Sequence, residues 1–169
     1  MMRRLAHLRR DQRGAAAAEM ALILPLALAL LFTMFEGAYY MICEHRVVKS
    51  VRDAARYAAR LDLSNYACPG GGSSLPQPYD GYVRDLTRFG KLMPKPDDKP
   101  LVVGWINSDV TIAVTCASGQ GGIYASSGGY APRITVTSRV TYPSLMSTLG
   151  FTASTTYIAA TAQSPVVGL

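Results

Sequence analysis

Histidine is almost absent from this 169-residue chain, with only His7 and His45 present. A serine or cysteine nucleophile in the C-terminal half therefore has no imidazole to serve as its base. Cysteine is nearly as scarce: Cys43, Cys68 and Cys116 contain no CxxC pair, which argues against a zinc or redox site. HExxH, GxSxG, GxGxxG and the Walker A lysine loop are all missing. Asp80, Asp85, Asp97, Asp98 and Asp109 fall in loops, in a short helix or at a strand start, where they solvate and cap rather than pair for acid–base work. The chain reads as a non-enzyme with no catalytic residue, no metal site and no cofactor.

Charge is also sparse, at 17 % of residues against 49 % hydrophobic. The net charge of +6 is unevenly placed, because Arg3, Arg4, Arg9, Arg10 and Arg13 stand against only Asp11 in the first fourteen residues. The rest of the chain is close to neutral, so the basic character belongs to an N-terminal signal and nucleic acid is not an expected partner.

What the chain does have is a long apolar run. Between Ala15 and Ile42 the only side chains charged at neutral pH are Glu19 and Glu36. At about 1.5 Å per residue this stretch spans a bilayer. It is too long for the apolar core of a removable secretory signal, and no small-residue cleavage motif follows it. Pro25 lies inside the run, where it removes one helical hydrogen bond and bends or loosens the helix.

Helical periodicity continues past the membrane. Val47, Val48, Val51, Ala54, Ala55 and Ala58 recur on one face, with Arg46, Lys49, Arg52, Asp53, Arg56 and Arg60 largely on the other. One helix from about Ala15 to Leu61 is expected, half in lipid and half a stalk; the competing arrangement breaks it near Glu36-Gly37. The segment 68–81 is a Gly/Pro/Ser loop. Tyr82, Val83, Leu86 and Phe89 then fit a short amphipathic helix with Asp80 as cap and Gly90 near its end.

Beyond 100 the pattern changes to alternation. Strands are predicted at 101–106, 109–116, 133–142 and 154–162, with a flexible surface loop at 118–130. One face of each longer strand is apolar and the other threonine-rich, as in an antiparallel sheet covered on one side, and the alanine stripe of the stalk is the expected cover. The fold class is α+β: a long transmembrane-plus-stalk helix packed on a C-terminal antiparallel sheet. If that head is exported, Cys68 and Cys116 are expected to form one disulfide, removing about 4 kcal/mol of unfolded-chain entropy. The arginine bias ahead of the apolar run favours a cytoplasmic N-terminus and an exported C-terminal head.

The N-terminal pattern also carries a resemblance. "RGAAAAEMALILPLALALLF" followed by "VVKSVRDAARYAA" resembles the TadE-like minor pseudopilins of the tight-adherence (Tad, Flp-type) pilus system, which are related to type IV pilins. The resemblance implies a pilin-like organisation: a basic leader over 1–14, a transmembrane and stalk helix over 15–62, and an exported head over 63–169. It also implies cleavage between Gly14 and Ala15 by a membrane-embedded prepilin peptidase, with Glu19 as fifth residue of the mature chain, pairing with a neighbouring subunit's new amine. Met20 stands where the family usually has an aromatic. The implied partners are the peptidase, other pilin and pseudopilin subunits, the inner-membrane assembly machinery and the lipid bilayer. The implied location is the bacterial inner membrane, with the head periplasmic or carried on a pilus and engaged in assembly, initiation or surface adhesion. The competing reading is a single-pass anchored periplasmic envelope protein or enzyme unrelated to pili.

Overall fold

The computed structural model describes residues 13–72, 75–148, 150 and 156–168. The chain divides into two compact units, Met1–Tyr39 and Tyr40–Leu169. Helix α1 runs without interruption over Arg13–Ala58, so no break occurs at Glu36-Gly37. Leucine and alanine carry its first half, and the Pro25 ring leaves a single carbonyl, that of Ala21, without its ordinary i+4 donor.

The second unit contains α2 (Tyr79–Phe89), β1 (Val110–Ala117), β2 (Ala131–Thr141), the single turn α3 (Leu145–Thr148) and β3 (Tyr157–Pro165). The strands form one antiparallel sheet in the order β1-β2-β3. The α1 residues from Val47 onward pack on it: Val47, Val51, Ala54, Ala55 and Ala58 are buried together with Ile112, Ile134, Val136, Val140 and Ile158. Alanine in the last helical turns lets the backbones approach closely. Tyr66 Oη donates to the Ala58 carbonyl, and Val167 N donates to the Ala59 carbonyl at 2.9 Å. The architecture is α+β with a helix on one sheet face, and the strand alternation of the sequence is visible in the burial pattern of β1 and β2.

Three local expectations are corrected. Residues 101–106 form no strand. Gly104 sits at φ +82°, and the backbone groups of this segment are satisfied elsewhere. Arg46 donates to the Leu101 carbonyl at 3.1 Å and Arg88 Nε to the Trp105 carbonyl at 3.1 Å. Its apolar residues act as a plug instead: Val102 and Trp105 are buried, and the indole Nε1 donates to the buried Ser138 Oγ at 3.0 Å. The second concerns 118–130, which lies at the surface as expected but is not irregular throughout. A 3-10 segment occupies Gly122–Ser127, and Tyr124 Oη donates to the Val166 carbonyl at 2.8 Å. Third, Asp80 lies inside the first turn of α2 and not at its cap, which is Pro78. Its carboxylate instead takes the Arg84 Nε at 2.6 Å, while Arg84 also donates to the carbonyls of Asn107 (3.0 Å) and Val110. Gly90 does end this helix, in the left-handed conformation at φ +68°.

The Pro-rich stretch after α2 is folded around Asp98. Lys91 Nζ donates to Oδ1 at 2.6 Å and Lys95 N to Oδ2 at 2.8 Å. The Lys91 hydrogen bond, then the Lys95 amide, hold this carboxyl below the usual carboxylate range. The sign follows: the stabilisation is complete above the unfolded pKa and is lost as pH falls through the lowered folded value. In a carboxyl-carbon NMR titration Asp98 is expected to titrate below the usual aspartate range, and Lys91→Gln to move it upward. An unshifted midpoint in the variant would show that Lys91 does not hold it.

Candidate functional site

The residues singled out at the N-terminus lie in the first turns of α1. Arg13, Gly14 and Ala15 are all within the helix, and Gly14 has open space where a Cβ would stand. Glu19 is exposed one turn beyond Ala15, and among the described residues no side chain forms an ion pair with it. The leader residues 1–12, with Arg3, Arg4, Arg9, Arg10 and Asp11, lie outside the described residues. Arg13, Gly14, Ala15 and Glu19 therefore share one helical start, in which Gly14 has open space on its Cβ side and Glu19 is exposed.

Following them, Leu22, Ile23, Leu26, Leu30, Met34 and Phe35 are all exposed. None of the most apolar window of this helix is buried within the chain, and the helix is long and apolar enough to cross a membrane. A helix apolar all round has no stable place in water; it needs lipid or the apolar faces of other helices. Two polar groups within the span have partners. Thr33 Oγ1 donates to the Ala29 carbonyl at 2.8 Å, and Glu36 is half-buried with an interacting neighbour. Cys43 is fully buried in the second unit, as a small packed residue would be. Pro25 lies within the exposed apolar stretch.

In the head, the Sγ atoms of Cys68 and Cys116 are bonded, with Cα atoms 5.8 Å apart. The bond ties the loop after α1 to the end of β1. It is reinforced by a backbone bridge in which Gly72 N donates to the Val114 carbonyl at 3.1 Å and Val114 N to the Gly72 carbonyl at 2.7 Å. Gly71, at φ +66°, brings its backbone so close to this strand that a Cβ would stand 2.8 Å from the Val114 carbonyl oxygen. Among the described residues no group of three or more His, Cys, Asp and Glu side chains is placed to hold a metal ion. Sequence reasoning overlooked the arginines of α2 as fasteners of the 101–110 segment. The signal was their i, i+4 spacing, Arg84 and Arg88, beside a segment interrupted by Pro100 and Gly104. It also overlooked Arg139, whose guanidinium lies 4.1 Å from the centre of the Tyr157 ring.

Compared with known proteins, residues 14–56 match the family model described as TadE-like protein. No curated protein and no solved structure matches the chain. The matched segment begins at Gly14 and contains Ala15, Glu19, the apolar run and most of the alanine-lined stalk. It likens the N-terminal part of the chain to TadE-like proteins.

Proposed function

We propose, taking the TadE-like segment at residues 14–56 as the premise, that the chain is a minor pseudopilin. It is cut after Gly14 by a prepilin peptidase and acts in assembly or initiation of a Tad/Flp-type pilus. The carrying observation is the start of α1, where Gly14 has open space on its Cβ side and Glu19 is exposed one turn beyond the proposed cut, ahead of an apolar surface exposed among the described residues. A peptidase at the bilayer surface needs close backbone approach, which glycine allows. The leader arginines favour the anionic cytoplasmic face. A carboxylate at the edge of the hydrocarbon is costly unless a cation meets it, and the Ala15 amine of a neighbouring subunit is the partner that cleavage creates. The apolar face of α1 then packs among other pilin and pseudopilin helices. The domains read from sequence follow as part of this proposal: a leader over 1–14, a membrane and stalk helix over 15–62, and a periplasmic head over 63–169 available for surface adhesion. Non-enzymatic action fits a chain that works by packing.

The test is the N-terminus of the chain recovered from pilus-producing cells. Mass spectrometry is expected to find Ala15 as first residue, and Gly14→Ala or removal of the peptidase to restore the longer form. An intact Met1 in cells with working pili would overturn the reading in favour of an anchored envelope protein.

A further inference from the structure

The sheet face turned away from α1 has no task in pilus assembly as proposed above. Side chains alternate along each strand, so the residues that miss the core line up across the sheet. Thr111, Thr137 and Thr161 form one row, and Ala113, Thr135 and Gln163 the next. Thr115, Arg133 and Pro165 form a third. Thr137 and Thr161 hydroxyls hydrogen-bond at 3.1 Å, giving the first of these rows a fixed polar surface. The three strands contain no carboxylate. Arg133 and Arg139 are both exposed on this face of β2, about 20 Å apart at strand rise. Neither forms an ion pair among the described residues.

At one end of the face Arg139 lies over Tyr157 and opens on a cleft of about 400 Å³. Among the described residues the cleft is lined by Ser108, Asp109, Thr111, Thr137, Arg139 and Tyr157. The Ile106 amide donates to Asp109 Oδ2 at 3.0 Å, which fixes that carboxylate at the rim. A stacked guanidinium retains its in-plane N–H groups, which match a carboxylate in bidentate fashion. The short hydroxyls of Ser108, Thr111 and Thr137, and the rim carboxylate, are the donors and acceptors that vicinal sugar hydroxyls require. Two positive charges along a hydroxyl-lined track, with the single Asp109 carboxylate at one rim, suit a polymer that carries both carboxylates and hydroxyls along its length. A single-stranded nucleic acid asks for a denser cationic groove and successive aromatic platforms, whereas this face offers one tyrosine.

We propose that this face binds an acidic polysaccharide, with a uronate carboxylate on Arg139 in the cleft and a carboxylate further along the same polymer reaching Arg133. The proposal rests on the reading that the head is displayed outside the cytoplasm. The probes are polygalacturonate, neutral dextran and single-stranded DNA, presented to the full chain in detergent micelles and followed by biolayer interferometry. Saturable binding to polygalacturonate is expected, with none to dextran and weaker binding to DNA. Arg139→Gln is expected to weaken the interaction at least ten-fold and Arg133→Gln about three-fold, while Arg139→Lys recovers part of the loss. Lys49→Gln with Arg52→Gln, on the exposed side of α1, is expected to change nothing. Thr137→Val, nearly isosteric, keeps the proposal testable if loss of Arg139 disturbs the fold, and is expected to weaken binding about three-fold. No binding to polygalacturonate, equal binding to dextran, DNA binding of the same strength, or loss only in the α1 double variant would each overturn it. Absence of binding alongside Ala15 at the mature N-terminus removes this proposal and leaves the pseudopilin reading in place. Retained Met1 with binding intact does the reverse.

Discussion

Replacing Trp105 by alanine is expected to destabilise the head by about 3–5 kcal/mol, lowering its melting temperature by roughly 10–20 °C. Trp105 is the only tryptophan of the chain and is 1 % exposed. Truncation would leave a cavity under the segment preceding β1 and strip the buried Ser138 hydroxyl of its indole donor. Ser138→Ala tests the hydrogen bond apart from the volume. It leaves the indole N–H unpaired at an expected cost of about 1–3 kcal/mol. Thermal unfolding followed by far-UV circular dichroism reads both variants. A melting temperature unchanged in Trp105→Ala would show that the plug carries no share of the core.

The second large effect concerns assembly rather than folding. Glu19→Ala is expected to leave cleavage after Gly14 intact while depleting the chain from sheared pili about 10–100-fold. That range is what loss of one charge-assisted contact worth about 1.5–3 kcal/mol gives at equilibrium. Glu19→Gln, which keeps the size and loses the charge, is expected to behave like alanine. Stability of the head is expected to be unaffected, because Glu19 belongs to the other compact unit. Quantitative mass spectrometry of pilus and membrane fractions separates the two steps. Wild-type abundance in pili with either substitution would reject the assembly role of Glu19.

Much of the architecture was legible because its signals are periodic. The offsets of Val47, Val48, Val51, Ala54, Ala55 and Ala58 point to the buried face of α1 before any neighbour is known; all but Val48 are buried, and Val48 is half-buried at the edge of that face. The alternation read over 109–116 and 133–142 does the same for β1 and β2, whose ends differ from it by one or two residues. The strand predicted over 101–106 failed for a reason no local pattern contains. Its carbonyls are claimed by Arg46 and Arg88, distant in sequence, and its apolar residues fill the core from an irregular backbone. The 3-10 stretch within the surface loop at 118–130 was not legible either. Its glycines signal freedom, yet Tyr124 finds the Val166 carbonyl forty-two positions away. Of the N-terminal site, residue identities and spacing were legible from the sequence alone. The open space beside Gly14 and the exposure of Glu19 required the helix to be built.

The bond between Cys68 and Cys116 has a mechanical consequence for a head that is pulled while attached to a surface. Tension entering from α1 and leaving through β2 travels along the backbone to Cys68, crosses the sulfur bridge and continues from Cys116, 48 positions later. Everything between, including α2, the Trp105 plug and β1 itself, stays out of the loaded strand of chain. If the head is forced open, only the two short connections on either side can be drawn out, at most about 80 Å of slack instead of about 250 Å for the unbridged chain. The bridge thereby acts as a stop that limits extension and keeps the core segment slack enough to refold when the load is released.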